Sequence, residues 1–293
     1  MRGLLRRIER EVYSYIYGFR RYFATQFKVD VYAYGFIIFD VPFQLIQIFL
    51  SLLSYYYCVV YVKGFIGLEF ISYIFTGLIL NGILNVALHT PRSTLRSIVH
   101  GAYGFRFGML SMYEYLRLAR IPKGVIIIMD EVNSILRQLV FVAVYLVFGL
   151  SMGYFKISLR EVNLHTLLCL ASYVLLGYMA VSAIGFLAAS LEVLVAKKYR
   201  FFPHQNPIIW TISVLSSLIS GVYFPPHLLP KEVQVISFMI PQTHAIMGVR
   251  EVLAGDYDKA SMRFGVLCLH TVTLLPLSLL ILHKTFKKID ELR

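Results

Sequence analysis

Eight histidines, three cysteines and 16 acidic residues hold what acid–base, metal or nucleophilic chemistry this chain could perform. Their spacing assembles no familiar site. Cys58, Cys169 and Cys268 stand far apart in apolar stretches, without the spacing of a metal ligand set or a disulfide framework, and read as small apolar residues. The histidines form no H-E-x-x-H pattern and no Cys/His cluster, and no G-x-x-x-x-G-K-[ST] loop is present to cradle a nucleoside triphosphate. What remains is the chemistry of polar groups inside apolar segments, where an ionisable side chain marks a pathway or needs a partner. Asp40 is open to both a pathway role and simple hydration near an interface. His270 is open to a pathway role and to a hydrogen bond between helices. His244, three residues after Pro241, fits either an exit for cargo or a helix start shared with Thr243. Arg250 and Glu251 are expected to pair with other charges and hold their segment in place.

The prolines supply the pattern that positions these groups. Pro225, Pro226, Pro230 and Pro241 crowd the stretch 220–255, which lies between two apolar spans. Proline suits a first helical turn and disrupts helix interiors, so Pro230 and Pro241 are expected to start helices. Val233, Ile236 and Met239 recur at helical spacing in the first of these, and Ile246, Val249 and Val252 in the second. Two helices this short cannot cross a bilayer twice. The expectation is a hairpin over 225–255 dipping into one face of the membrane, which is tolerable only where protein or water satisfies its broken backbone. Gly221 and Gly255 would let the chain turn at its borders. The rival reading is a plain extracellular loop with two surface helices.

Phe224-Pro225, Leu229-Pro230, Pro241 and Arg250 in this order resemble the C-terminal signature of ABC-2 type transporter permeases, the membrane-spanning subunits of ATP-driven exporters. Such permeases also place a coupling helix in the first inner loop, commonly a Glu followed by leucines and a proline. Glu114, Leu116, Leu118 and Pro122 follow that order, with Arg117 and Arg120 among them. The resemblance implies a partner: a separate ATPase subunit that binds ATP and magnesium, docking on 114–122 and on the N-terminal helix. It further implies a dimer of this chain with itself or with a related permease. No cofactor is expected in this chain itself, and no enzyme activity of its own.

These groups must be positioned by membrane helices. The chain has 293 residues, 58% hydrophobic and 15% charged, against roughly 45–50% and about 25% in soluble domains. Its mean hydropathy is +0.69. The expected fold is an all-α polytopic membrane protein forming one transmembrane domain over 1–293. Residues 1–30 would be an amphipathic interfacial helix: Leu5, Ile8, Val12, Ile16, Phe19, Phe23 and Phe27 step by three and four, with arginines largely elsewhere. Packing of that helix on the protein as a solvated leader is the alternative. Six spans would fill 31–283, at 31–62, 65–88, 134–154, 164–189, 208–224 and 264–283, followed by a charged tail over 284–293. Gly77, Asn81 and Asn85 share one face of the second span, a polar stripe of the sort that joins membrane helices. The region 90–124 is rich in arginine and reads as the inner coupling region or as a basic surface loop.

The formal net charge of +12 has to be read by position. With six spans and a cytoplasmic N-terminus, most Lys and Arg fall on the cytoplasmic side, which orients the chain in a plasma or cytoplasmic membrane with both termini inside. Anionic lipid, rather than nucleic acid, is the expected partner of the basic surface. The reading that follows is export of a hydrophobic or amphipathic, drug- or lipid-like compound. Export of a polysaccharide or glycolipid is the alternative, and a membrane-embedded lipid-modifying enzyme is a reading from another class.

Overall fold

The computed structural model describes residues 68–100, 123–151, 163–195 and 206–291, together with positions 13, 16, 17, 20, 42, 46 and 50. Among the described residues there are seven α-helices, one 3-10 turn and no strand. The helices are α1 (Leu68–His100), α2 (Lys123–Ser151), α3 (Leu164–Val195), α4 (Pro207–Ile219), α5 (Lys231–Met239), α6 (Pro241–Leu253) and α7 (Tyr257–Glu291). Among the described residues, three segments are long and apolar enough to cross a membrane: Tyr73–Ile98, Leu164–Val195 and Tyr257–Ile289. The chain divides into two compact units, Met1–Ser51 with Ser93–Arg137, and Leu52–Arg92 with Gln138–Arg293.

In the first unit, positions 13, 16, 17 and 20 are helical, and Tyr13, Ile16 and Tyr17 are exposed. Positions 42, 46 and 50 are helical as well. The expected coupling residues Glu114, Leu116, Arg117, Leu118, Arg120 and Pro122 lie outside the described residues, as does Asp40.

The helix bounds depart from the expected spans in one direction. Polar residues that looked like loop continue the helices instead. α1 runs on past position 88 to His100, because Leu88, Leu95 and Ile98 keep an apolar stripe fully buried while the Thr90 hydroxyl bonds the Val86 carbonyl beside Pro91. α2 starts at Lys123, eleven residues before position 134, and takes in Asp130, Glu131 and Arg137. α7 starts at Tyr257 and absorbs most of the segment expected as a tail, ending at Glu291. α4 is the exception: its 13 residues fall short of the expected 208–224.

Local sequence explains where the hairpin elements begin and end. α4 opens on Asn206, whose side-chain oxygen accepts from the Ile208 and Ile209 amides, with Pro207 in the first turn. It stops at Gly221, whose φ of 88° favours glycine. A 3-10 turn, Pro226–Leu228, then leads to Pro230, the residue that precedes α5. α5 ends at Ile240, extended at φ −94° and ψ 121° because the following Pro241 disfavours helical backbone before it. α6 closes through Gly255 at φ 76°, where the Gly255 and Asp256 amides bond the Val252 and Glu251 carbonyls. Asp256 then starts α7 by accepting from the Lys259 amide, and hydrogen bonds from Lys259 hold its carboxyl below the usual carboxylate range.

α6 is the buried centre of the second unit. Nine of its 13 residues are buried, whereas α5 buries only Ser237. Close approach on two sides is made by small residues. A Cβ at Gly177 of α3 would lie 2.7 Å from the Ala245 Cβ, and one at Gly248 would enter the Tyr173 ring. Tyr173 in turn donates to the Ala260 carbonyl and meets the Phe264 ring edge-on at 5.4 Å, which ties α3 to α7. Small residues let membrane helices approach closely and gain van der Waals contact without help from the hydrophobic effect.

Candidate functional site: the proline hairpin and its clasp

Side chains meet backbone carbonyls freed at the tip of the α5–α6 hairpin and at the turn that leads into it. At the tip, the Thr243 hydroxyl donates to the Ser237 carbonyl at 2.6 Å and His244 Nε2 to the Phe238 carbonyl at 2.8 Å. The first turn of α6 therefore caps the last turn of α5. Where α4 ends, the Ser237 hydroxyl donates to the Ile219 carbonyl at 2.7 Å. At the turn after α4, Arg250 spreads its guanidinium over backbone oxygens: Nη1 donates to Gly221, and Nη2 donates to Tyr73 at 2.6 Å and Val222 at 3.2 Å.

The Arg250 guanidinium carbon also lies 3.4 Å from the centre of the Tyr73 ring, whose hydroxyl donates to the same Gly221 carbonyl at 3.0 Å. A planar, delocalised cation suits both a ring face and a row of carbonyls. Gly77 makes room for it, since a Cβ there would lie 2.5 Å from both Arg250 Nη2 and the Val222 carbonyl. Arg250 thus clasps the end of α4 and the start of α1 to the hairpin. The expectation that it pairs with a charge is corrected: Arg250 meets backbone carbonyls, two in the chain reversal at Gly221 and Val222 and one in α1 at Tyr73. Glu251 does take a charged partner, Arg263 of α7, with Nε to Oε1 at 2.5 Å.

Two other expected residues are placed differently from each other. His270 bonds its own helix, Nδ1 to the Val266 carbonyl at 3.0 Å, in place of the bond between helices. Its ring lies 5.6 Å from that of His244, which brings α7 to the hairpin tip. Pro241 is buried, and Pro225 precedes the 3-10 turn. Val233 is half-buried, while Ile236 and Met239 are 49% and 71% exposed, so the apolar side of α5 faces away from the helices of its own unit.

The stripe Gly77, Asn81, Asn85 joins helices, as its spacing indicates. Asn81 Nδ2 donates to Ser217 Oγ at 3.2 Å, and Ser213 Oγ donates to Asn85 Oδ1 at 3.1 Å. Two i, i+4 pairs on antiparallel helices meet rung by rung. The serine pair was as legible as the asparagine pair but gained its meaning only when α4 was set against α1.

Sequence reasoning missed two further features. The first is a buried polar knot at the opposite end of α4. Arg92 grips Glu192 through two bonds, Nε to Oε2 at 2.9 Å and Nη2 to Oε1 at 3.0 Å. Asn206 Nδ2 reaches the same carboxylate at 2.8 Å and the Ala188 carbonyl at 3.0 Å. Asn-Pro before an apolar run was a readable helix start, but nothing in the order of residues linked it to Glu192 or Arg92. The second is the G-x-S-x-G spacing of Gly149 to Gly153. That motif requires a strand-to-helix turn, and here its serine is the last residue of α2.

Comparison of the chain with protein-family models, with curated proteins and with solved structures gives no match. The class these features define is structural: an all-helical chain, in its described residues, with three helices able to span a membrane and, before the last of them, a proline hairpin whose second helix is buried.

Proposed function

We propose that this chain is the membrane-spanning permease subunit of an ATP-driven exporter, and that the α5–α6 hairpin is its outer gate. The observation that carries the reading is the shortness of α4. The 13 residues of α4 reach about 20 Å, well short of a hydrocarbon layer about 30 Å thick. If α4 is the fifth of six spans, the turn at Gly221 and the hairpin beyond it lie inside that layer. Non-helical backbone at such depth is tolerated only when protein or a water-filled cavity satisfies it. The Arg250, Ser237, Thr243 and His244 bonds supply that satisfaction.

Six spans with both termini in the cytoplasm place the hairpin at the outer face of the cell membrane. The exposed Ile236 and Met239 then meet a second permease copy and close the exit to outside water. A separate ATPase subunit holds ATP and magnesium and drives the opening, and the cargo is a hydrophobic or amphipathic, drug- or lipid-like compound.

Purification of the native complex tests the reading. An ATP-binding subunit should accompany this chain, and the complex should hydrolyse ATP. Replacing both Ile236→Asp and Met239→Asp should leave the complex intact while basal hydrolysis is uncoupled, rising or falling several-fold. A chain that purifies without an ATP-binding partner overturns the permease assignment. Parent-level hydrolysis and transport in the double variant overturn the gate.

A further inference from the structure

α4 is fixed at both ends and along its length. At its start a single side chain, Asn206, performs two tasks: its oxygen caps the helix at Ile208 and Ile209, and its nitrogen holds Glu192 and Ala188 of α3. Glu192, with no exposed side-chain surface, is gripped in turn by Arg92 of α1, only 12% exposed. At the far end of α4 the Ile219 carbonyl is taken by Ser237 of α5, and the Gly221 carbonyl by Arg250 of α6 and Tyr73 of α1. Between these ends Ser213 and Ser217 bond Asn85 and Asn81. A 13-residue helix held this way transmits displacement along its axis rather than bending.

We infer that α4 is a tie-rod between the Arg92–Glu192–Asn206 knot and the hairpin, so that loosening the knot frees a hairpin about 20 Å away. Arg92 belongs to the part of α1 that extends beyond the expected second span, still within the apolar segment Tyr73–Ile98, and meets α4 at the end away from the hairpin. A buried, doubly bonded ion pair in that position is stable while intact and strongly perturbed once one partner is removed. Displacement of α1 at Arg92 would therefore pull the start of α4 through Asn206, and α4 would carry that pull to Arg250 and Ser237. Its use in transport rests on the gating role above, but the linkage itself is a property of this chain alone.

Hydrogen–deuterium exchange of the full chain in lipid nanodiscs, without nucleotide or cargo, reads the linkage. Asn206→Ser keeps an oxygen that can cap α4 but is too short to reach Glu192. Glu192→Gln keeps the shape of the knot without its charge and serves as the second variant if Asn206→Ser does not insert. Either is expected to raise exchange over 236–250 at least tenfold, with the first half of α7 unchanged. Faster exchange confined to 206–212, with the hairpin at the parent rate, overturns the tie-rod. That result would leave the gate standing, because the Ile236 and Met239 variant is scored on hydrolysis and transport.

Discussion

The seam between α1 and α4 and the face between α3, α6 and α7 join helices by opposite means. The seam is built of polar groups meeting one to one: Asn81 with Ser217, Asn85 with Ser213, and Arg250 with the carbonyls of Gly221, Val222 and Tyr73. The face rests mainly on close approach, with Gly177 and Gly248 leaving room for Ala245 and Tyr173, beside polar ties from Tyr173 to the Ala260 carbonyl and from Arg263 to Glu251. In lipid, helices gain little from hiding apolar surface from one another, so both devices are needed and they behave differently. Each polar bond is weak and can be exchanged for another; close steric contact has no partial form. A hairpin gripped by the face on one side and bonded to the seam on the other has one side that can slide and one that cannot.

Substitutions can break this contrast. The largest effect is expected at Arg250, where the seam is strongest. Arg250→Lys keeps the charge but loses the fork and the ring stacking; the Val222 carbonyl loses its donor at about 1–3 kcal/mol, and the stack on Tyr73 is lost as well. Unfolding in mixed detergent should show a loss of about 3 kcal/mol, and the hairpin should exchange amide hydrogens before the rest of the chain. A loss below about 1 kcal/mol would mean that the clasp is ornamental.

Gly248→Val comes next. Its side chain must displace the Tyr173 ring between α3 and α7, and overpacking of this sort costs about 1–3 kcal/mol. The same unfolding measurement checks it, and Tyr173→Ala in the same chain should recover part of the loss. Absence of any rescue would show that the face is not set by that contact.

The smallest effect is expected at Asn81→Ala, which removes one rung of the seam. Such bonds average about 0.6 kcal/mol in membrane helices. A cost equal to that of Gly248→Val would erase the distinction between the two interfaces, and a cost near zero for both Asn81→Ala and Asn85→Ala would assign α4 to packing alone.

The local sequence of the hairpin set much of its own structure. Pro241 starts α6 because a missing amide and a fixed φ suit a first turn, and Pro230 stands immediately before α5. Gly221 and Gly255 take left-handed turns for an equally local reason. The i, i+4 spacing of Asn81 and Asn85 announced a polar stripe. Helix ends were read less well, since α1 runs through Thr90 into the expected inner region and α2 begins at Lys123, ahead of the expected span. Polarity along a chain marks where water is expected, whereas a helix continues as long as its backbone bonds are cheaper kept than broken.

What only the tertiary structure decided is the set of partners. Arg250 could have met any acid; the reversal at Gly221 gave it carbonyls instead. Glu192 lies 100 residues from Arg92 in the chain, and nothing in either neighbourhood names the other. His270 bonds its own helix while its ring faces a histidine from another. Backbone preference is a property of a few adjacent residues and can be read from them. A buried polar side chain is satisfied by whatever the packing of distant helices brings within about 3 Å of it, and that distance exists only once the chain has folded.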